Sequence, residues 1–383
     1  MTKLGFVALA GPDNGGTYQY TLAMLHGLQH VRGYDITLFG DPQNPDFVKS
    51  GHPIIPFTEP YAKQLTALAF YKGHVGMADP FASQDILLAP IYSLALLHTT
   101  KPFAYTLHDL QEKYYPENFS LWQRIWRDQV HSRLLNRAGH VICESRLVQA
   151  DIIRAYGVPE QRIAVIPAPP QRQFFSELGS EQLQAARTRL QLPEKFLVYP
   201  AHYWAHKNHL RLVEAFRLVV REVPDSKLVL TGKKIDDYET VVNAIDKAEL
   251  SANVLHLGFI DREDLQAVYQ LATALVMPSL FESVSIPVYE ALQVGTPVAA
   301  SNILAIPEQV GDAGVLFDPM SAASIAEAIL KIVRDPAMAS RLGKRGRERM
   351  QMMTTERYGG QLELVLRTLQ SSQNSKANSG KPG

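Results

Sequence analysis

The sequence predicts an α/β protein of two Rossmann-like domains, and three observations carry that prediction. Short, wholly apolar segments alternate with longer amphipathic ones from end to end. The alternation falls into two halves of similar size, and a cluster of prolines at Pro167, Pro169 and Pro170 separates them. Short apolar runs bounded by turn residues read as strands buried on both faces, and the amphipathic stretches between them as helices covering a parallel sheet.

In the first half the strand candidates are residues 4–10, 35–39, 85–89, 103–107, 140–143 and 163–166, each rich in aliphatic side chains and bounded by Gly, Pro, Asp or Lys. The N-terminal run is too short to span a bilayer and is broken at once by Gly11 and Pro12. It therefore reads as a buried first strand and not as a signal peptide. In the second half the strand candidates are residues 196–199, 227–231, 254–257, 274–277, 297–300 and 314–317. Residues 210–223 place Leu212, Val213, Phe216, Val219 and Val220 at helical spacing, and residues 181–190 read as a helix leading into the second sheet. The prolines block regular structure at the seam, so the domains are expected at residues 1–168 and 169–352. The tail SSQNSKANSGKPG, residues 371–383, has nothing to bury and is expected to be disordered.

Composition narrows the function classes. A chain of 383 residues with 46% hydrophobic and 20% charged side chains builds a substantial core, and two domains at that length. Its 38 basic and 38 acidic residues balance, which argues against a dedicated nucleic-acid binder. The single cysteine, Cys143, lies in an apolar run, so no intramolecular disulfide forms, which fits a reducing cytoplasm.

Ligands of open parallel sheets bind at the carboxyl ends of the strands, so the loops there are the places to look. Gly11-Pro-Asp-Asn-Gly-Gly16-Thr17 follows the first strand. Its paired Gly15 and Gly16 either let the backbone approach a phosphate at a helix start or form a tight turn. It is not a G-x-G-x-x-G loop, which disfavours an NAD oxidoreductase. His108 and Asp109 follow the strand at 103–107 and either address a substrate hydroxyl or phosphate or cap a turn. In the matching place of the second half, Lys207 and Asn208 precede a helix, and Lys207 can hold a diphosphate as a point charge. His202, His206 and His209 invite a zinc reading, but no Cys or carboxylate joins them nearby, and no metal is expected. Asp236-Asp237 reads as a solvated loop. In Phe281-Glu282-Ser-Val-Ser-Ile-Pro-Val-Tyr-Glu290, Glu282 sits in a loop and Glu290 in the helix that follows. Helix-start N–H groups near Ser283, Val284 and Ser285 can receive phosphate oxygens, and a helical carboxylate can accept both hydroxyls of a ribose.

The ordered set resembles the family-four retaining glycosyltransferases with the two-domain GT-B fold. It comprises Gly15-Gly16, His108-Asp109, residues 141–156 with Glu144-Ser145, residues 163–167, Lys207-Asn208, Gly258, the E-x7-E pair Glu282 and Glu290, and Gly295-Thr-Pro297-Val. The resemblance covers almost the whole chain and implies a cleft between the domains, with a last helix crossing back to the first domain at residues 353–370. It assigns Glu282 to donor-sugar hydroxyls, Glu290 to the ribose, Lys207 to the diphosphate, and Gly258, Phe259 and Ile260 to the border of the base. His108 would face the transferred sugar, and Gly16 would let its backbone approach the donor phosphate. Two positions depart from the pattern. Ala201-His202 stand where the family often has Gly-Arg, and Ser283-Val284-Ser285 replace a Gly-Phe-Gly.

The resemblance therefore implies metal-independent transfer of a hexose, with mannose as the guess, from a GDP- or UDP-sugar. The acceptor is a glycan or a lipid-linked glycan in polysaccharide or glycolipid assembly, and no further cofactor is expected. A catalytically silent nucleotide-sugar-binding subunit is the alternative. A cytoplasmic location is expected, with a peripheral membrane contact by residues 121–137. There Trp122, Trp126, Val130 and Leu134 fall at helical spacing among arginines, as on a lipid-bound helix, although tryptophans at this spacing more often face a core.

Overall fold

This computed structural model describes residues 1–59, 79–170 and 177–379. The chain divides into two compact units, Met1–Ala168 with Thr354–Gly383, and Pro169–Met353. The first unit carries strands β1 (Thr2–Ala8), β2 (Tyr34–Gly40), β3 (Ile54–Pro56), β4 (Ile86–Ala89), β5 (Phe103–Thr106), β6 (His140–Cys143) and β7 (Ile163–Val165). Its helices are α1 (Gly16–Leu28), α2 (Pro45–Lys49), α3 (Gln111–Tyr114), α4 (Leu121–Arg137) and α5 (Arg146–Tyr156). The second unit carries β8 (Leu197–Pro200), β9 (Leu228–Thr231), β10 (Val254–Gly258), β11 (Ala274–Met277), β12 (Val298–Ser301) and β13 (Gly314–Phe317). Its helices are α6 (Ser180–Arg189), α7 (His209–Glu222), α8 (Tyr238–Lys247), α9 (Arg262–Leu271), α10 (Ile286–Val294), α11 (Ile306–Val310), α12 (Ala322–Arg334) and α13 (Pro336–Gln351). The last helix, α14 (Thr355–Ser379), returns to the first unit.

Among the described residues every strand pairing is parallel. The first sheet has the order β3-β2-β1-β4-β5-β6-β7 and the second β10-β9-β8-β11-β12-β13. Both wind outward in two directions from a central pair, β1/β4 and β8/β11, and the crevice at that reversal is where such sheets hold ligands. The period of two along each strand explains the double cover. Leu4, Phe6 and Ala8 join Leu38, Ile86 and Leu88 on the face packed by α1 and α14. Val7, Phe39, Leu87, Phe103 and Tyr105 join the opposite core with Val130 and Leu134 of α4 and Val148 and Ile152 of α5. Strand β3 carries no such signature, being three residues long, mostly exposed and closed by Pro56, and the sequence alone does not reveal it.

Helix α14 buries Tyr358, Leu362, Val365, Leu366 and Leu369, one apolar stripe at helical spacing. It meets α1 at paired glycines, and a Cβ at Gly27 would fall 2.7 Å from the Tyr358 ring. The helix runs on to Ser379 and so takes up most of the segment expected to be disordered. Between Gly360 and Gly380 no proline or glycine interrupts it, so nothing in that stretch stops a helix already nucleated by its packed first turns.

Helix α4 follows the core-facing reading of the stripe over all but its first turns. Val130 and Leu134 are buried and Trp126 packs on the same core, so three of the four positions serve the first unit's interior. Trp122 is 78% exposed, and Leu121 and Ile125 beside it are exposed as well, so the outward apolar surface is confined to the first turns.

Candidate functional site

The loops after β8 and β11, which flank the switch point of the second sheet, are tied together by hydrogen bonds. Tyr199 Oη donates to the Lys207 carbonyl at 2.6 Å, and the Leu280 N–H donates to the His206 carbonyl at 2.7 Å. Asn208 adopts the left-handed conformation (φ 60°), and its side-chain amide donates to the carbonyls of Pro278 and Pro319, both at 2.9 Å. Asn208 thus clamps the loops. Held by this frame, Lys207 Nζ lies 2.6 Å from Glu282 Oε1, with side chains only 15% and 9% exposed. The two residues assigned from the sequence to a phosphate and to a sugar meet as one mostly buried ion pair.

Helix α10 starts after Ser285, whose N–H donates to Gln309 Oε1 at 2.8 Å, so this one helix-start donor is already committed. One turn on, Glu290 Oε2 accepts from Tyr269 Oη at 2.8 Å. Burial pushes the Glu290 carboxyl up to about 7; the Tyr269 hydrogen bond and the Arg262 charge hold it back from going further. Ser283 and Val284 occupy the loop between Glu282 and this helix, half-buried.

At the ends of β9 and β10 lies an aromatic and basic group. Gly258 takes a positive φ of 69°, and the following Phe259 is 68% exposed, with Ile260 half-buried behind it. Gly232 passes so close to the Ala201 carbonyl that no side chain fits. That approach brings the Lys233 N–H to His202 Nδ1 at 3.0 Å, and Lys233 Nζ lies 5.7 Å from the Phe259 ring centre. Burial, then the Lys233 and Lys207 charges, lower the His202 pKa, so this ring is neutral and does not supply the charge of an arginine. His209 stacks on Tyr203 at 4.5 Å inside the core and is pushed down to about 3 by burial. It is a packing residue.

In the first unit, Gly15 (φ 52°, ψ −120°) makes the turn from β1 into α1, a conformation open only to glycine, and Gly16 is the first residue of the helix. His108, two residues beyond β5, has Nδ1 2.9 Å from Glu144 Oε2 and Nε2 3.0 Å from the Pro90 carbonyl. Burial acts to lower its pKa, but the hydrogen bond and charge of Glu144, with Asp109 and the Pro90 carbonyl, outweigh it and the net shift is upward. Asp109 Oδ1 accepts the Gln111 N–H at 3.0 Å and lies 3.6 Å from Arg127, so it caps the turn into α3. Sequence reasoning passed over Glu144 as a partner of His108, together with Tyr269 and Gln309. The only available signal was register: Thr106 pairs with Ile142, and carrying that offset forward sets His108 opposite Glu144.

Two family models match consecutive parts of the chain. Residues 14–169 match the model described as Glycosyltransferase Family 4, and residues 181–349 match that described as Glycosyl transferases group 1. The O-antigen chain mannosyltransferase B of Escherichia coli is 25% identical over 63% of this chain and 63% of its own length. The O-antigen chain mannosyltransferase RfbU of Salmonella typhimurium is 24% identical over 86% of this chain and 91% of its own. Against the serotype-specific mannosyltransferase WbdA of Escherichia coli the match spans only 25% of that protein. Among solved structures, sucrose-phosphate synthase of Thermosynechococcus elongatus superposes with TM-score 0.72 at 23% identity, covering 97% of this chain and all of that one. HepE of Anabaena, solved with UDP and glucose, superposes with TM-score 0.74 at 19% identity over 96% of this chain and all of its own. These structural likenesses show the fold, two parallel Rossmann-like sheets of the GT-B type.

Proposed function

From the premise that the chain belongs to the family-four glycosyltransferases, we propose that it moves a hexose from a nucleotide-sugar donor to an acceptor hydroxyl with retention of configuration. The observation that carries this reading is the Lys207–Glu282 pair at the switch point of the second sheet, with Glu290 on the helix that follows. Glu290 accepts the ribose hydroxyls, and Gly258, Phe259 and Ile260 border the base. The diphosphate draws Lys207 away from Glu282, which frees that carboxylate for the hydroxyls of the sugar. Mannose as the sugar and a polysaccharide as the product are supported by the names of the relatives.

The way the carboxylates are engaged supports retention. Inversion needs a general base facing the acceptor. Asp109 caps a turn, and Glu282, once Lys207 turns to the diphosphate, is taken up by the hydroxyls of the donor sugar. Transfer then proceeds on the front face, where the leaving phosphate oxygen takes the acceptor proton while Lys207 stabilises the charge that develops. An α-linked donor should give an α-linked product, read from its anomeric coupling by NMR; a β-linkage would overturn the mechanism. His108→Ala should lower kcat by about 100-fold or more with nucleoside diphosphate affinity nearly unchanged, because the base and ribose contacts belong to the second unit.

A lipid-linked acceptor would be met at a membrane surface. Among the described residues no helix is long and apolar enough to cross a bilayer. The exposed Leu121, Trp122 and Ile125 at the start of α4 are the contact we assign to anionic lipid, in place of the stripe through Trp126, Val130 and Leu134. Trp122→Ala should cut co-flotation with anionic liposomes at low salt, and absence of wild-type flotation would remove the contact.

A further inference from the structure

His108 is held on three sides within the first unit. The Pro90 carbonyl can only accept, so Nε2 carries a proton. Nδ1 faces a carboxylate oxygen of the buried Glu144 at 2.9 Å, a contact that requires a proton between them. The Tyr20 ring stands perpendicular to the imidazole at 4.6 Å, and its hydroxyl pairs with Thr106 Oγ1 at 3.0 Å. The two acceptors come from separate strand ends, β4 and β6, on either side of β5.

We infer that Glu144 is a positioning residue that holds His108 as a doubly protonated imidazolium, so that the histidine offers the reaction a charged N–H donor and not a base. The inference rests on the assignment of His108 to the transferred sugar. The proton on Nδ1 stays with the Glu144 pair, and the Nε2 proton, now donated to Pro90, is the one available to a substrate oxygen. No proton is taken from the acceptor by this group. The titratable and charged groups around it are Glu144 from the end of β6, its neighbour Asp109, and Tyr20 of α1, with Tyr358 of α14 buried nearby. Among them the carboxylates favour the cation, and burial opposes it.

The charge can be read without any substrate. In ligand-free protein labelled with 15N-histidine, with His108 assigned by difference from His108→Gln, both ring nitrogens should show imidazolium shifts at pH 7. A neutral ring there, with one protonated nitrogen, would overturn the inference. In Glu144→Gln the titration midpoint should fall by about one pH unit or more, and Glu144→Asp should restore part of the shift; an unmoved midpoint would also overturn it. In turnover, Glu144→Gln should lower kcat with little change in donor KM and move the alkaline limb of the kcat profile to lower pH. If His108 were a base, the acid limb would move instead. Because the resonance measurement needs no turnover, failure to find sugar transfer leaves it intact, and the two ideas fail separately.

Discussion

Lys207→Ala should lower the stability of the second unit by about 3 kcal/mol, because it leaves the mostly buried Glu282 carboxylate without its counter-ion. The same change should reduce kcat by about 100-fold or more, since the charge on the leaving diphosphate grows in the transition state. The two losses separate in the double variant Lys207→Ala/Glu282→Gln. With no charge left to bury, that protein should recover most of the stability in chemical denaturation while remaining inactive. A single variant as stable as the wild type would mean that water already solvates the pair. Glu282→Gln alone should preserve or strengthen binding of the nucleoside diphosphate, because Lys207 no longer has to leave a carboxylate to meet a phosphate, yet it should lose transfer. In the proposed scheme Lys207 neutralises the diphosphate without a metal, so activity should survive EDTA, and a strict requirement for added Mn²⁺ or Mg²⁺ would overturn the scheme.

Donor affinity should rise with pH through neutrality, and Glu290→Gln should abolish the rise. The Glu290 carboxyl, pushed up to about 7, is still largely protonated at pH 6. The ribose hydroxyls donate, so they are best received by the ionised form, and binding must expel the proton below that pKa. The expected gain is roughly tenfold in affinity between pH 6 and pH 8, flattening above the pKa. Calorimetry in buffers of different ionisation enthalpy would show the released proton. The stability sign is opposite. A carboxyl whose folded pKa is raised contributes stability that is complete below its unfolded pKa of about 4.3 and is lost as the pH climbs through 7. Glu290→Gln should therefore melt later than the wild type at pH 8 and about equally at pH 4. Affinity that does not change with pH in the wild type would remove Glu290 from the ribose.

Much of the fold can be read directly in the sequence because its signals are local. The apolar runs at residues 140–143, 274–277 and 314–317 appear as β6, β11 and β13 at the same bounds, and the others shift by a residue or two. Edges fail where the local signal is thin, as at β3, and where a helix continues into a polar tail, as at the end of α14. The loops proposed to bear chemistry are also legible, since glycines, histidines and carboxylates just beyond an apolar run lie at a strand end by construction.

Partnership is a different matter. His108 and Glu144 are 36 positions apart, and Lys207 and Glu282 are 75 apart. Nothing in the stretch around either member names the other. The parallel register of β5 and β6 sets the first pair, and the reversal of strand order at β8 and β11 sets the second. The same holds for α4, whose apolar period is plain in the sequence. Which of its turns is covered depends on where the sheet lies beneath it, so Val130 and Leu134 are buried while Trp122 is left outside. By itself the sequence determined the elements, their order and the loops that carry charge, because periodicity and turn chemistry are written within about ten residues. Only the tertiary structure decided which charges neutralise each other and which carboxyl has its pKa raised, because burial and register arise from packing segments far apart in the chain.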